Sequence, residues 1–243
     1  MKDKKPKLTY SIIIICLIVF GLELIVGFTH DISPIFNEYG FSWDNVLQER
    51  YSVFLTSIFL HGNATHLVLN MIALLIFGRI VEIELGWKKF LLIFLVSAIV
   101  GQLGILASTF LEFLPADIPT IGISAAVFGL MGTAMLIKPF EFIMYPYLIP
   151  IPLIFIAVFY TLYNIAAFII VFTTDATSNV SYVSHIAGIA AGMFFGFREE
   201  RSKRGLIAIL ILLGLLILIP FMWTIFSEVE SFNYVNIIKE LFE

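Results

Sequence analysis

The sequence predicts an all-α integral membrane protein, and three observations carry that expectation. Of 243 residues, 60% are hydrophobic and only 13% charged, whereas a soluble domain carries about 45–50% apolar and about 25% charged residues. Apolar runs near the length of a bilayer-crossing helix, about 20 residues, recur along the chain. The period-2 alternation of an outer-membrane barrel is missing from these runs. Helices are then the spanning structure left, because lipid offers no partner to exposed backbone groups.

Seven candidate spans follow, at roughly 8–28, 65–83, 88–109, 122–137, 147–172, 182–197 and 205–226. The first follows a basic start of Lys2, Lys4, Lys5 and Lys7. It is too long for the apolar region of a signal peptide and has no small-residue cleavage site after it, so it reads as an uncleaved span. The fourth and sixth are short and rich in small residues, which suits helices inside a bundle, where close neighbours replace lipid. The long loop 29–64 carries Asp31, Glu38, Asp44 and Glu49 among aromatics and reads as an interfacial helix or hairpin. Loop 173–181 is polar, and 228–243 reads as a short amphipathic surface helix.

Orientation follows from the placement of positive charge. With the N-terminus in the cytoplasm, twelve of the fourteen Lys and Arg fall in cytoplasmic stretches; Arg50 and Lys239 alone fall outside. The expectation is a multi-pass protein of the cell membrane with a cytoplasmic N-terminus. The lone Cys16 sits in an apolar run and allows no intrachain disulfide. Nothing in the pattern of Cys, His and acidic residues suggests a metal site, and no cofactor is expected. The expected surroundings are lipid and membrane proteins, with no nucleic acid.

Polar side chains in spans are costly, so their positions are informative. Three helices run from outside to inside: the second, fourth and sixth. His66 and Asn70 lie in the first turns of the second, Ser124 opens the fourth, and His185 lies near the start of the sixth. With a rise of about 1.5 Å per residue, all four sit at a similar depth below the outer surface. His66 and Asn70, spaced i, i+4, share one helix face. Gly188, Gly192 and Gly196 make two overlapping GxxxG units on another, a pattern that lets helix backbones approach closely. Contact of the fourth and sixth helices would bring Ser124 to His185. A serine hydroxyl becomes a useful nucleophile when a base takes its proton, and a neutral histidine can be that base. The oxyanion formed at a peptide carbonyl needs preorganised donors, and His66, Asn70 and the Ser124 backbone N–H are suitable ones. No acidic residue shares this depth in the three helices, so the arrangement reads as a dyad. Singly, each residue reads at least as well as packing or interhelical glue; together at one depth they read as a site. Glu23, Gln102, Tyr160, Tyr163 and Asn164 read as packing or gate residues.

These residues resemble the rhomboid family of intramembrane serine proteases. His61-Gly62-Asn63-Ala64-Thr65-His66 through Asn70 is similar to the family's H-x4-H-x3-N signature. Gly122-Ile123-Ser124 resembles its G-x-S motif, and His185-Ile186-Ala187-Gly188 with Gly192 its H-x2-G-x3-G motif. The resemblance spans roughly residues 10 to 198. It implies a six-helix core over 1–200, followed over 201–243 by the one added transmembrane helix of some members, 205–226, and a short tail. It implies Ser124 as nucleophile, His185 as general base, His66 and Asn70 as oxyanion donors, and His61 and Glu82 as structural residues. The fifth helix would be the flank through which a substrate helix enters, and loop 173–181 a cap. The activity implied is a serine endopeptidase that cuts single-span membrane proteins near the outer face. The chain departs from the family's pattern at Ala125, where Gly usually follows the serine; at Phe128, where Tyr is frequent; and at Ser52-Val53, in place of a Trp-Arg pair. Two other functions compete. An inactive scaffold of this kind usually loses the serine or histidine, and both are present. A transporter usually shows two related halves with broken midplane helices, and no such repeat is visible.

Overall fold

The computed structural model describes residues 5–111, 115–143, 150–174, 180–199, 202–211, 213–214 and 217–218. The chain forms two compact units, Met1–Gly205 and Leu206–Glu243. The first is built from helices α1 (Lys7–Thr29), α2 (Ser33–Tyr39), α3 (Trp43–Leu47), α4 (Val53–Phe59), α5 (Ala64–Ala73), α6 (Arg79–Leu85), α7 (Trp87–Phe110), α8 (Ser124–Ile137), α9 (Leu153–Thr174) and α10 (Tyr182–Phe197). A π turn, Leu74–Gly78, joins α5 to α6, so that Ala64–Leu85 runs on as one helix. Among the described residues, four helices are long and apolar enough to cross a membrane, Lys7–Thr29, Ala64–Leu85, Trp87–Phe110 and Leu153–Thr174; α8 and α10 are shorter and also apolar. The protein is therefore an all-α membrane protein. In the second unit, residues 206–211 are helical. The rest of the expected seventh span beyond 218, the tail 228–243 and the middle of loop 173–181 lie outside the described residues.

The short fourth span becomes the centre of the bundle. Nearly every residue of α8 is buried, and it packs against α7, α9, α10 and the π turn. By contrast α1 and α9 expose large apolar side chains, among them Ile18, Leu22, Ile25, Phe159 and Ile170, which is the surface lipid covers. The α8–α10 contact is a backbone-to-backbone one. A Cβ on Gly192 would land on the carbonyl oxygen of Gly129, and one on Gly188 on the carbonyl oxygen of Ala125. Thr133 Oγ1 donates to the Gly192 carbonyl at 2.8 Å across the same seam.

Two boundaries differ from the sequence expectation for a backbone reason. The fifth span begins at Leu153 rather than near 147: Ile151-Pro152 pairs with Phe142-Ile143 as a two-residue antiparallel ribbon, β1 (Phe142–Ile143) with β2 (Ile151–Pro152). Proline is accepted just before or within a first helical turn and not deeper. Loop 29–64 folds into α2, α3 and α4 instead of one helix or hairpin. It carries a small core of its own, in which Phe41, fully buried, packs on Val53 and Ile105.

Glu82 lies buried in α6 and closes the start of α1. Its carboxylate accepts from Leu8 N at 2.9 Å and from Thr9 N and Thr9 Oγ1, each at 2.8 Å. The first N–H groups of a helix have no partner within it, and here a side chain from another helix supplies one. Glu82→Ala leaves those three donors without it. The expected result is a loss of about 1–3 kcal/mol, read as a lower thermal midpoint in detergent and faster hydrogen exchange at the start of α1.

Candidate active site

Ser124 is the first residue of α8, where backbone N–H groups lack intrahelical partners. The segment that delivers it is held from outside. Phe41 and Thr120 exchange both backbone hydrogen bonds, at 2.9 and 2.8 Å, and Gly122 N donates to Ser57 O at 2.8 Å. Gly122 has φ +114°, a conformation that only glycine adopts without strain. A Cβ there would also meet His66 Cε1 at 2.7 Å and Nε2 at 2.9 Å, with Asn70 Nδ2 at 3.8 Å. The two side chains predicted to share a face of α5 thus converge on the backbone just before Ser124. His66 is set by the N-terminus of α5, where Asn63 Oδ1 accepts from His66 N at 2.8 Å. Asn70 is buried, and its Nδ2 has no protein partner.

Ser124 Oγ lies 2.8 Å from His185 Nε2. That is within the reach a base needs to take the hydroxyl proton. The imidazole is stacked on Phe128, with ring centroids 4.2 Å apart and planes at 22°, so the ring in place of the family's frequent tyrosine still covers it. Ala125 fits without crowding because α7 has a glycine opposite: a Cβ on Gly101 would sit 2.6 Å from the Ala125 methyl. His61 is buried, at 1% exposure. Its N–H donates to the Glu23 carboxylate at 3.1 Å, and its ring lies 5.3 Å from that of His66.

Two contacts were not foreseen. Asn164 of α9 places Oδ1 2.7 Å from His185 Nδ1. Gln102 of α7 donates to Phe54 O and Ser57 Oγ, both at 3.0 Å. It lines a cavity of about 20 Å³ with Ser57, Gly122, Ser124 and Ser184, room for about one water molecule. Both are polar side chains in spans, which marks them in the sequence, but their partners depend on the rotation of their helices. Among the described residues, no group of three or more His, Cys, Asp or Glu is arranged to hold a metal.

Fold and site define a polytopic helical membrane protein with a serine–histidine pair set in its bundle. The Rhomboid domain model matches residues 48–202, well over half of the chain, and the protein belongs to the rhomboid family. It is 29% identical over 152 residues to YdcA of Bacillus subtilis (strain 168), covering 61% of this chain and 67% of that one. It is 26% identical over 205 residues to the rhomboid protease GluP of the same organism, covering 84% of this chain and 37% of that one. It is also 33% identical over 98 residues to inactive RHOMBOID-like protein 8 of Arabidopsis thaliana, covering 40% of this chain and 26% of that one. The chain thus spans little more than a third of GluP and about a quarter of the Arabidopsis protein.

Proposed function

We propose that this protein is an intramembrane serine endopeptidase that cuts single-span membrane proteins near the outer face of a cell membrane. The observation that carries the reading is the 2.8 Å approach of Ser124 Oγ to His185 Nε2. His185 takes the hydroxyl proton as Oγ attacks the scissile carbonyl carbon. The carbonyl oxygen becomes an oxyanion, met by His66, Asn70 Nδ2 and the Ser124 N–H. The tetrahedral species collapses, His185 passes the proton to the leaving amine, and the acyl-enzyme stays on Oγ. A water, activated by His185 in its turn, then attacks the acyl carbon and frees Ser124. His61 and Glu82 serve structure, as do Gly122, Gly188 and Gly192. The core over 1–200 carries the chemistry. Positive charge on one side supports a cytoplasmic N-terminus.

Being in the rhomboid family does not by itself imply activity, since one relative is named inactive. Retention of both Ser124 and His185 within hydrogen-bond distance favours the active reading over a scaffold that only binds membrane helices. The deciding experiment is fluorophosphonate labelling of the purified, folded protein. Labelling that disappears in Ser124→Ala supports a hydrolase; an unlabelled wild type overturns it. Asn70→Ala is expected to lose about 2.7–4 kcal/mol of transition-state stabilisation, the effect of removing one oxyanion donor. It should appear in kcat for a transmembrane substrate with KM little changed. Wild-type turnover in that variant would exclude Asn70 from the role.

A further inference from the structure

We infer that Asn164 is a positioning residue for His185, fixing which ring nitrogen carries the proton. The inference rests on the protease reading above and takes one more side chain into the site. Asn164 Nδ2 lies 2.8 Å from the carbonyl oxygen of Tyr160, one turn earlier in α9. A carbonyl oxygen only accepts, so the amide end that faces it must be the NH2 group. The other end, Oδ1, is then the one that faces His185 Nδ1 at 2.7 Å. An amide oxygen also only accepts, so Nδ1 must be the nitrogen that bears hydrogen. In the neutral ring, Nε2 is left with its lone pair, 2.8 Å from Ser124 Oγ. The order of donors and acceptors from the α9 backbone to the nucleophile is thereby determined at every link.

This arrangement is worth more during reaction than before it. When Ser124 Oγ–H passes its proton to Nε2, the ring becomes an imidazolium and the Nδ1–H to Oδ1 bond becomes charge-assisted, a stronger class of hydrogen bond. Asn164 is itself buried, with 2% exposure, so water does not compete for the bond. Asn164 stands where an acid stands in a Ser-His-Asp triad, but brings no charge into the membrane. The competence of the dyad therefore depends on a third helix, α9, besides the two that carry Ser124 and His185.

The test compares wild type with Asn164→Leu and Asn164→Asp in detergent. Leu fills the space and removes the acceptor. Asp keeps an acceptor oxygen at the same place, ionised or not. The expected result for Asn164→Leu is a loss of about tenfold or more in kcat and in fluorophosphonate labelling rate, the scale of stranding one buried donor, with KM unchanged. Asn164→Asp recovers most of that loss. In ¹⁵N spectra of histidine-labelled protein, assigned through His185→Gln, wild-type His185 shows its proton on Nδ1, and Asn164→Leu shifts the population toward Nε2. Wild-type labelling by Asn164→Leu, or a wild-type ring protonated on Nε2, overturns the inference. The spectrum needs neither a folded Leu variant nor proteolysis. An unlabelled wild type with the proton on Nδ1 would therefore sink the protease reading and leave the positioning bond standing.

Discussion

Ser124→Ala and His185→Ala are each expected to abolish fluorophosphonate labelling and cleavage of any transmembrane substrate, with turnover falling by on the order of 10⁶, as in soluble serine proteases. The reason is geometric. With Nε2 2.8 Å from Oγ, the proposed nucleophile and base would act as one unit, and removing either would remove the step. The double variant should be no worse than the single ones, because members of such a unit are strongly non-additive. Ser124→Ala should keep the wild-type thermal midpoint within a few degrees, because it removes one oxygen; His185→Ala removes a buried ring stacked on Phe128 and leaves Asn164 Oδ1 without its partner, so its midpoint should fall, and its labelling is read on folded protein. Labelling that persists in Ser124→Ala would mean that another nucleophile reacts and that Ser124 is not the acylated residue.

Gly192→Ala is expected to have the largest effect on stability. Its new methyl would fall on the carbonyl oxygen of Gly129, a backbone atom of the central helix that no rotamer change can move. Relief requires α8 and α10 to separate, which also stretches the Thr133 Oγ1 bond to the Gly192 carbonyl. Overpacking of this kind costs about 1–3 kcal/mol or more, and about 2–4 °C of midpoint per kcal/mol for a chain of this size. Because α8 carries Ser124 and α10 carries His185, labelling should weaken along with stability. Gly27→Ala is the control. A Cβ there meets nothing within 4 Å, and alanine is the better helix former, so its midpoint should hold or rise. Equal midpoints for the two variants would show that the α8–α10 seam is not close-packed.

The four long spans were legible because their signal is local. A run of apolar residues must be helical in lipid wherever its neighbours lie. The four residues nearest the proposed chemistry were legible because each sits close to the outer end of its helix, so counting residues gave their common depth. The same counting hid Asn164. It lies ten residues from the end of α9 at Thr174 and His185 three from the start of α10 at Tyr182, depths of about 15 and about 4.5 Å at 1.5 Å per residue. Only the offset between the two helix ends brings them to 2.7 Å. The room for the Ala125 methyl was hidden for a similar reason: it is provided by Gly101, twenty-four residues earlier on another helix.

The sequence by itself determined the class of fold, the helices that carry the polar side chains and the small residues that let two of them touch. Each of these follows from composition or from spacing within one helix. The tertiary structure decided which side chains meet across helices: Asn164 with His185, Gln102 with Ser57, Glu82 with the start of α1, and the loop at Phe41 with the strand-like segment before Ser124. Hydrogen bonds between helices depend on relative rotation and offset, and those are set by the packing of the whole bundle rather than by any one segment of the chain.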